Sequence, residues 1–338
     1  MTIIKAEWLL TRRCNQACAY CGIRRIRDEM TQSQMRYGID ALKELGCLFI
    51  AIYGGEPMLS PLLLPMLKYC KKVEMLNTVI TNGSLWRTED TPLLLGSGLG
   101  SVTVSMDSLS ALPGDTKYDA QRRADAMRVM DDLEPYARDF HRLGKVLDRE
   151  VSVTITPRNL DSIVELTEFW TSRGVWVSYD FVHVGSHPGT KRAKAYYPKW
   201  TQEADERAKV HAIAIAVKKI GKETGRVHTS DSVLKRWSKF YDNPIWHCSV
   251  PAWVSVDCDG SMLPCDDLED ERVADIKVWQ LKDKWLTFHE RWLKAIEKCP
   301  GCFWSAHIMS EEMVGSPEGR ERFLHGRSAG KPTVSTVG

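Results

Sequence analysis

Three thiols fall within eight residues near the start of the chain, Cys14-Asn15-Gln16-Ala17-Cys18-Ala19-Tyr20-Cys21, spaced C-x3-C-x2-C. Thiolates this close can converge on one metal centre. On a four-iron cluster, three protein thiolates leave one iron open for another ligand. Zinc is the rival reading, since it also accepts thiolates, but it needs a fourth ligand and the nearest histidine is His141. Five more cysteines stand far downstream: Cys248, Cys258, Cys265 and the pair Cys299-Pro300-Gly301-Cys302. Four thiolates close a site completely, either as structural zinc or as a cluster with no open iron. Ten cysteines in a chain of 338 residues without an export signal, two groups of them clustered, point to metal thiolates in a reducing cytosol rather than to disulfides.

Such thiols need a scaffold, and the sequence alternates strand and helix. Residues 6 to 11 form a short strand leading into the cysteine loop. Thr31-Gln32-Ser33-Gln34 opens a helix with a capping box, Met35, Ile39, Leu42 and Leu45 follow at helical spacing, and Gly46 ends it. The apolar run 47 to 53 fits a buried parallel strand. The series continues with a helix over 61 to 72, a strand over 77 to 81 and a helix near 88 to 95. A strand over 101 to 106, a polar helix over 117 to 142 and a strand over 151 to 155 follow. A helix capped by Asp161, carrying Ile163, Leu166 and Trp170 on one face, precedes a strand over 175 to 182.

Six strands alternating with helices imply an α/β fold with a parallel sheet and right-handed crossovers, an open partial (βα)6 TIM-like barrel. Such sheets bind ligands at the C-terminal ends of their strands. Those ends carry Gly54-Gly55-Glu56-Pro57, Thr81-Asn82-Gly83 and Ser105-Met106-Asp107. Two glycines admit close backbone approach, and Glu56 offers an anionic acceptor for an ammonium group. Each stretch also reads as an ordinary turn or helix cap.

The loop Cys14-x3-Cys18-x2-Cys21, with Tyr20 just before its last cysteine, resembles the signature of the radical S-adenosylmethionine (radical SAM) superfamily. The resemblance implies a 4Fe–4S cluster on Cys14, Cys18 and Cys21, with the amino and carboxylate groups of SAM on the fourth iron. Gly54-Gly55-Glu56-Pro57 matches the family's GGEP motif, which holds the methionine amino group. Thr81, Asn82, Ser105, Asp107 and Thr154 look like the strand-end residues that line the SAM pocket, Ser105 and Asp107 being placed for the ribose hydroxyls. The resemblance covers residues 6 to about 185 and implies that reductive cleavage of SAM gives a 5′-deoxyadenosyl radical that takes hydrogen from a substrate C–H.

Beyond residue 185 the pattern changes. A loop over 186 to 200 leads to a helix over 201 to 221 with Ile213, Val217 and Ile220 inward. Asp257-Cys258-Asp259-Gly260 reads as a hairpin turn between strands over 253 to 256 and 261 to 263. An amphipathic helix over 278 to 296 leads to Cys299. The cysteine spacing here is similar to the head of the SPASM pattern, without the later cysteines, and so to its shorter "twitch" form. That likeness implies a small C-terminal Fe–S domain, a β-hairpin plus helix, with a second 4Fe–4S cluster on Cys248, Cys265, Cys299 and Cys302. Cys47 and Cys70 sit in apolar stretches and read as core. Cys258, in the hairpin, is a bystander, a substitute ligand or a thiol that returns a hydrogen atom to a substrate radical. The expected division is a core over 1–185, a linker and bridging helix over 186–244, a twitch domain over 245–310 and a flexible tail over 311–338.

The net charge of +2 does not call for nucleic acid or an anionic membrane. The arginines 12, 13, 24, 25 and 27 around the loop fit solvated groups or counter-charges to cluster and SAM, with an anionic substrate as the sharper alternative. The acidic run 266 to 271 argues against a continuous nucleic-acid groove; His183 and His187 are candidates to face substrate. No apolar run reaches the roughly 18 residues of a membrane span. The expected setting is cytoplasmic, with an external electron donor of the flavodoxin or ferredoxin type. Only 13 residues precede Cys14, which favours a small molecule, carbohydrate or modified nucleobase over a peptide. A peptide-modifying maturase, a nucleotide- or DNA-base-modifying enzyme and a non-catalytic metal-binding protein are the alternatives. The outcome of the reaction stays open between oxidation, epimerisation and isomerisation.

Overall fold

The computed structural model describes residues 3–18, 21, 23, 28–112, 115, 117–143, 147–182, 203–237, 239, 247–248, 252–265, 273–297, 305, 308–310 and 312. Tyr20, Cys299, Cys302, His183, His187, the acidic run 266–271 and the arginines 24, 25 and 27 lie outside the described residues.

The first part of the chain is a strict alternation: β1 (Lys5–Thr11), α1 (Gln32–Glu44), β2 (Phe49–Gly54), α2 (Leu63–Lys72), β3 (Leu76–Thr81), α3 (Thr91–Gly96) and β4 (Ser101–Ser105). It continues with α4 (Lys117–Arg142), β5 (Asp148–Ile155), α5 (Ile163–Ser172) and β6 (Trp176–Phe181). Helices α6 (Ala204–Thr224) and α7 (Asp231–Arg236) follow, then β7 (Trp253–Val256), β8 (Ser261–Leu263), β9 (Val273–Lys277) and α8 (Trp285–Glu297). The described strands form one sheet in the order β6-β5-β4-β3-β2-β1-β7-β8-β9. Strands β1 to β6 pair in parallel, as the strand–helix alternation predicts.

Successive side chains of a strand point to opposite faces, and the two faces differ. Ile50 and Ile52 of β2, Val102 and Val104 of β4, and Val151 and Val153 of β5 are at most 1% exposed. They share one core with Ile39 and Leu42 of α1, Met66 of α2, Leu133 of α4 and Leu166 of α5. The other face is polar. Thr78 and Thr103 pair through their hydroxyls at 3.3 Å, and His228 Nδ1 lies 3.1 Å from Glu150 Oε2.

Local signals fix several boundaries. Thr31 caps α1 reciprocally: Gln34 N–H donates to Thr31 Oγ1 at 3.3 Å, and Thr31 N–H donates to Gln34 Oε1 at 2.8 Å. Asp161 does not cap α5. A 3-10 turn over Leu160–Ser162 precedes that helix, and the Asp161 carboxylate pairs with Lys209 at 2.5 Å instead. Chain after β6 also covers its edge, since Val177 N–H donates to Arg226 O and His228 N–H to Val177 O.

The C-terminal strands extend the barrel sheet. β7 lies parallel to β1, with Lys5 opposite Trp253 and Trp8 opposite Val256. β8 is antiparallel to β7, as the hairpin predicts, and β9 is a third strand beyond it that the sequence reading did not contain. Arg12, just past β1, reaches Asp257 at the end of β7 with two bonds, Nε to Oδ1 at 2.8 Å and Nη2 to Oδ2 at 2.9 Å.

Helix α1 ties the two regions together from outside. A methyl group on Gly38 would lie 2.6 Å from Val278 Cγ1 and 2.8 Å from Trp8 Cη2. Alanine is the better helix former by about 1 kcal/mol, but overpacking a close contact costs about 1–3 kcal/mol. Gly38→Ala is therefore expected to lower the melting temperature; thermal unfolding with an unchanged or raised midpoint would contradict the packing described.

Candidate functional site

The site forms where β1, β2 and β3 end. Two backbone bonds bring the first two ends together: Gly55 N–H donates to Thr11 O and Glu56 N–H to Arg13 O, both at 2.8 Å. No side chain fits there. A Cβ on Gly54 would lie 2.2 Å from Thr11 O, and one on Gly55 would lie 2.1 Å from Arg13 O. Gly54 also has φ +151°, a conformation L-residues seldom adopt.

Glu56 follows and is fully buried. Its carboxylate accepts from Thr81 Oγ1 at 2.7 Å, Asn82 N–H at 2.8 Å and Met58 N–H at 3.1 Å. Burial pushes its pKa above the usual carboxylate range, and the bonds from Asn82, Thr81 and Met58 pull it back. Glu56 thus locks the end of β2 to the end of β3. Asn82 continues the chain of contacts into the cysteine loop: its side-chain amide donates to Asn15 Oδ1 at 3.0 Å and approaches Cys14 Sγ at 3.9 Å.

Cys14, Cys18 and Cys21 face one cleft of about 180 Å³. Gly54, Gly55, Thr81, Asn82 and Ser105 line the same cleft, so eight residues singled out in the sequence meet there. Glu56 and Pro57 stand behind its wall; Pro57 opens a short 3-10 turn over Pro57–Leu59. Asp107 and Thr154 meet each other, Thr154 N–H donating to Asp107 Oδ1 at 3.0 Å.

Arg122 was not singled out. It projects from α4, is almost fully buried, lines the cleft, and places Nη1 3.7 Å from Cys18 Sγ. Nη2 lies 3.4 Å from Asp107 Oδ2 and also pairs with Asp119. In the sequence Arg122 is one charge among many on a polar helix, and nothing in its spacing separates it from its neighbours.

Burial pushes the Cys18 thiol up to about 11, with Arg122 opposing and Cys21, Asp107 and Cys14 adding to the rise. A metal must displace that proton to bind. Among the described residues no three His, Cys, Asp or Glu side chains are spaced to hold a single ion. Three thiols around a cleft of this size fit a cluster bound at three corners better than one zinc ion.

Cys258 lies away from this cleft. It is 2% exposed, its thiol donates to Asp28 O at 3.0 Å, and burial, with Asp257 alongside, pushes its pKa up to about 12. Of the second cysteine set, Cys248 is half-buried and Cys265 buried.

A family model described as the Radical SAM superfamily matches residues 8–170. Those residues are a radical SAM domain. GTP 3′,8-cyclase of Peptoclostridium acidaminophilum is 38% identical over 109 residues, 30% of this chain and 33% of the relative. The match therefore spans a third of that relative's length. PqqA peptide cyclase of Xanthomonas campestris is 23% identical over 314 residues, 87% of this chain and 77% of the relative. Among solved structures, Streptococcus suis SuiB bound to precursor peptide SuiA superposes with a TM-score of 0.60 at 16% identity, over 94% of this chain and 74% of SuiB. The fold likeness thus runs through the C-terminal strands as well as the radical SAM domain.

Glu56→Gln tests the lock between the strand ends. A neutral amide offers one acceptor oxygen to three donors, and losing a charge-assisted bond costs about 1.5–3 kcal/mol. SAM titration of the reconstituted variant should show roughly tenfold or greater weakening; an unchanged affinity would contradict the role given to Glu56.

Proposed function

We propose that this chain is a radical SAM enzyme acting on a peptide. The observation that carries this reading is length. The likeness to a peptide cyclase runs over 87% of this chain, whereas the likeness to GTP cyclases covers 30% in one relative and 50% in another. The fold likeness to SuiB crystallised with precursor peptide SuiA covers 94%. The expectation of a small molecule gives way to this likeness over 87% of the chain.

In this reading Cys14, Cys18 and Cys21 hold the SAM-binding 4Fe–4S cluster. When bound, cluster and SAM together supply reductive C–S cleavage and a 5′-deoxyadenosyl radical. The residues of this chain position and shield. Gly54 and Gly55 let backbone approach SAM closely, Thr81, Asn82 and Ser105 face it, and Glu56 holds the strand ends that carry them. Asp107, fixed by Thr154 N–H and Arg122, is the acceptor offered to ribose hydroxyls. Tyr20 and Pro57 complete the proposed set.

A second 4Fe–4S cluster on Cys248, Cys265, Cys299 and Cys302 belongs to the same proposal. One contact favours it. Trp292 Nε1 donates to Pro264 O at 3.2 Å, which holds α8, the helix leading to Cys299, beside Cys265. Ser305, just after Cys302, donates its N–H to Asp180 Oδ1 at 2.9 Å at the end of β6. Glu312, in the stretch read as tail, accepts from Ser230 Oγ at 3.1 Å. Electrons come from an external flavodoxin- or ferredoxin-type donor. Among the described residues no helix is long and apolar enough to cross a membrane.

Deuterium tracing decides the substrate class. Peptides encoded beside the gene, synthesised with perdeuterated side chains, should pass deuterium into 5′-deoxyadenosine when incubated anaerobically with enzyme, SAM and reductant. Transfer from deuterated GTP or a sugar, with none from any peptide, would overturn the reading.

A further inference from the structure

The cysteine loop has two necks, and one short turn of the C-terminal strands grips both. Before the loop, the Arg12 guanidinium is held by both oxygens of Asp257, at 2.8 and 2.9 Å. After the loop, Met30 N–H donates to Cys258 O at 2.8 Å, and the Cys258 thiol donates to Asp28 O at 3.0 Å. The two grips are joined, because Cys258 N–H donates to Asp257 Oδ1 at 2.7 Å. Inside the necks, Thr11 Oγ1 and Arg13 Nε both donate to Glu29 Oε1, at 2.5 and 3.0 Å, drawing the two flanks together.

Arg12 and Asp257 have side chains only 3% and 1% exposed. A buried ion pair is a poor source of stability, since desolvation offsets most of its attraction, and a defined register is its better-attested use. Arg12 also lines the cleft that the three thiols face. The pair therefore places a compensated cation at the wall of the site, and it does so from residues 245 positions apart.

We infer that the Asp257-Cys258 turn is a clasp that sets the geometry of the cysteine loop. Asp257 and Cys258 are positioning residues: they act on the site through Arg12 and through residues 28–30, and neither touches SAM or substrate. The clasp works whether the substrate is a peptide or a small molecule.

Hydrogen–deuterium exchange and redox titration on the reconstituted full chain test this. In Asp257→Asn, the Met30 amide and the stretch 12–18 should exchange at least tenfold faster while β3, β4 and β5 keep their rates. The potential of the SAM-binding cluster should move positive, because a negative charge beside the wall of the cleft is removed, and Asp257→Glu should restore much of it. If Asp257→Asn does not fold, Cys258→Ala carries the test: it removes only the thiol contact and should speed exchange over 28–30 alone. Unchanged exchange over 12–30 in the variants that fold overturns the clasp. So does faster exchange throughout the sheet with an unchanged cluster potential.

Discussion

The site depends on how closely three strand ends can be drawn together. Gly54 and Gly55 press against the backbone of Thr11 and Arg13 so tightly that even a methyl group has no room. The buried carboxylate of Glu56 then ties that junction to Thr81 and Asn82. Burying a carboxylate is costly unless donors satisfy it, and Glu56 has three. The result is a rigid corner from which the cysteine loop hangs, and the positions of Cys14, Asn15 and the cleft follow from it.

The C-terminal strands do more than append a second module. They continue the sheet on the free side of β1, the strand that enters the cysteine loop. Helix α1 touches both parts through Gly38, and Arg12 joins them through Asp257. Any change in the extension is therefore felt at the neck of the loop. That continuity gives a physical reason for an extension to be read together with the core when function is assigned.

Much of this was legible in the sequence because local rules govern it. The capping box at Thr31 and Gln34, the apolar runs of β2 and β4, and the glycine pair before Glu56 each follow from a few neighbouring residues. The three thiols and the strand-end motifs identified the family for the same reason. What escaped is non-local or unmarked. Arg122 sits among similar charges on α4, and only the fold turns it toward Cys18. The pairing of Arg12 with Asp257 spans 245 positions of the chain. β9 is five residues of weak alternation, recruited by pairing with β8. Asp161 looks like a helix cap in sequence, but a 3-10 turn comes first and the carboxylate finds Lys209.

The central claim is that Cys14, Cys18 and Cys21 form a SAM-cleaving cluster site at the mouth of the barrel. The most direct test compares the wild-type chain with a Cys14→Ala/Cys18→Ala/Cys21→Ala variant after anaerobic reconstitution with iron and sulfide. Wild type should bind about eight irons as two clusters and release 5′-deoxyadenosine from SAM when reduced. The triple variant should keep about four irons and release none. Bound zinc and no 5′-deoxyadenosine from the wild-type chain, or 5′-deoxyadenosine from the triple variant, would contradict the account.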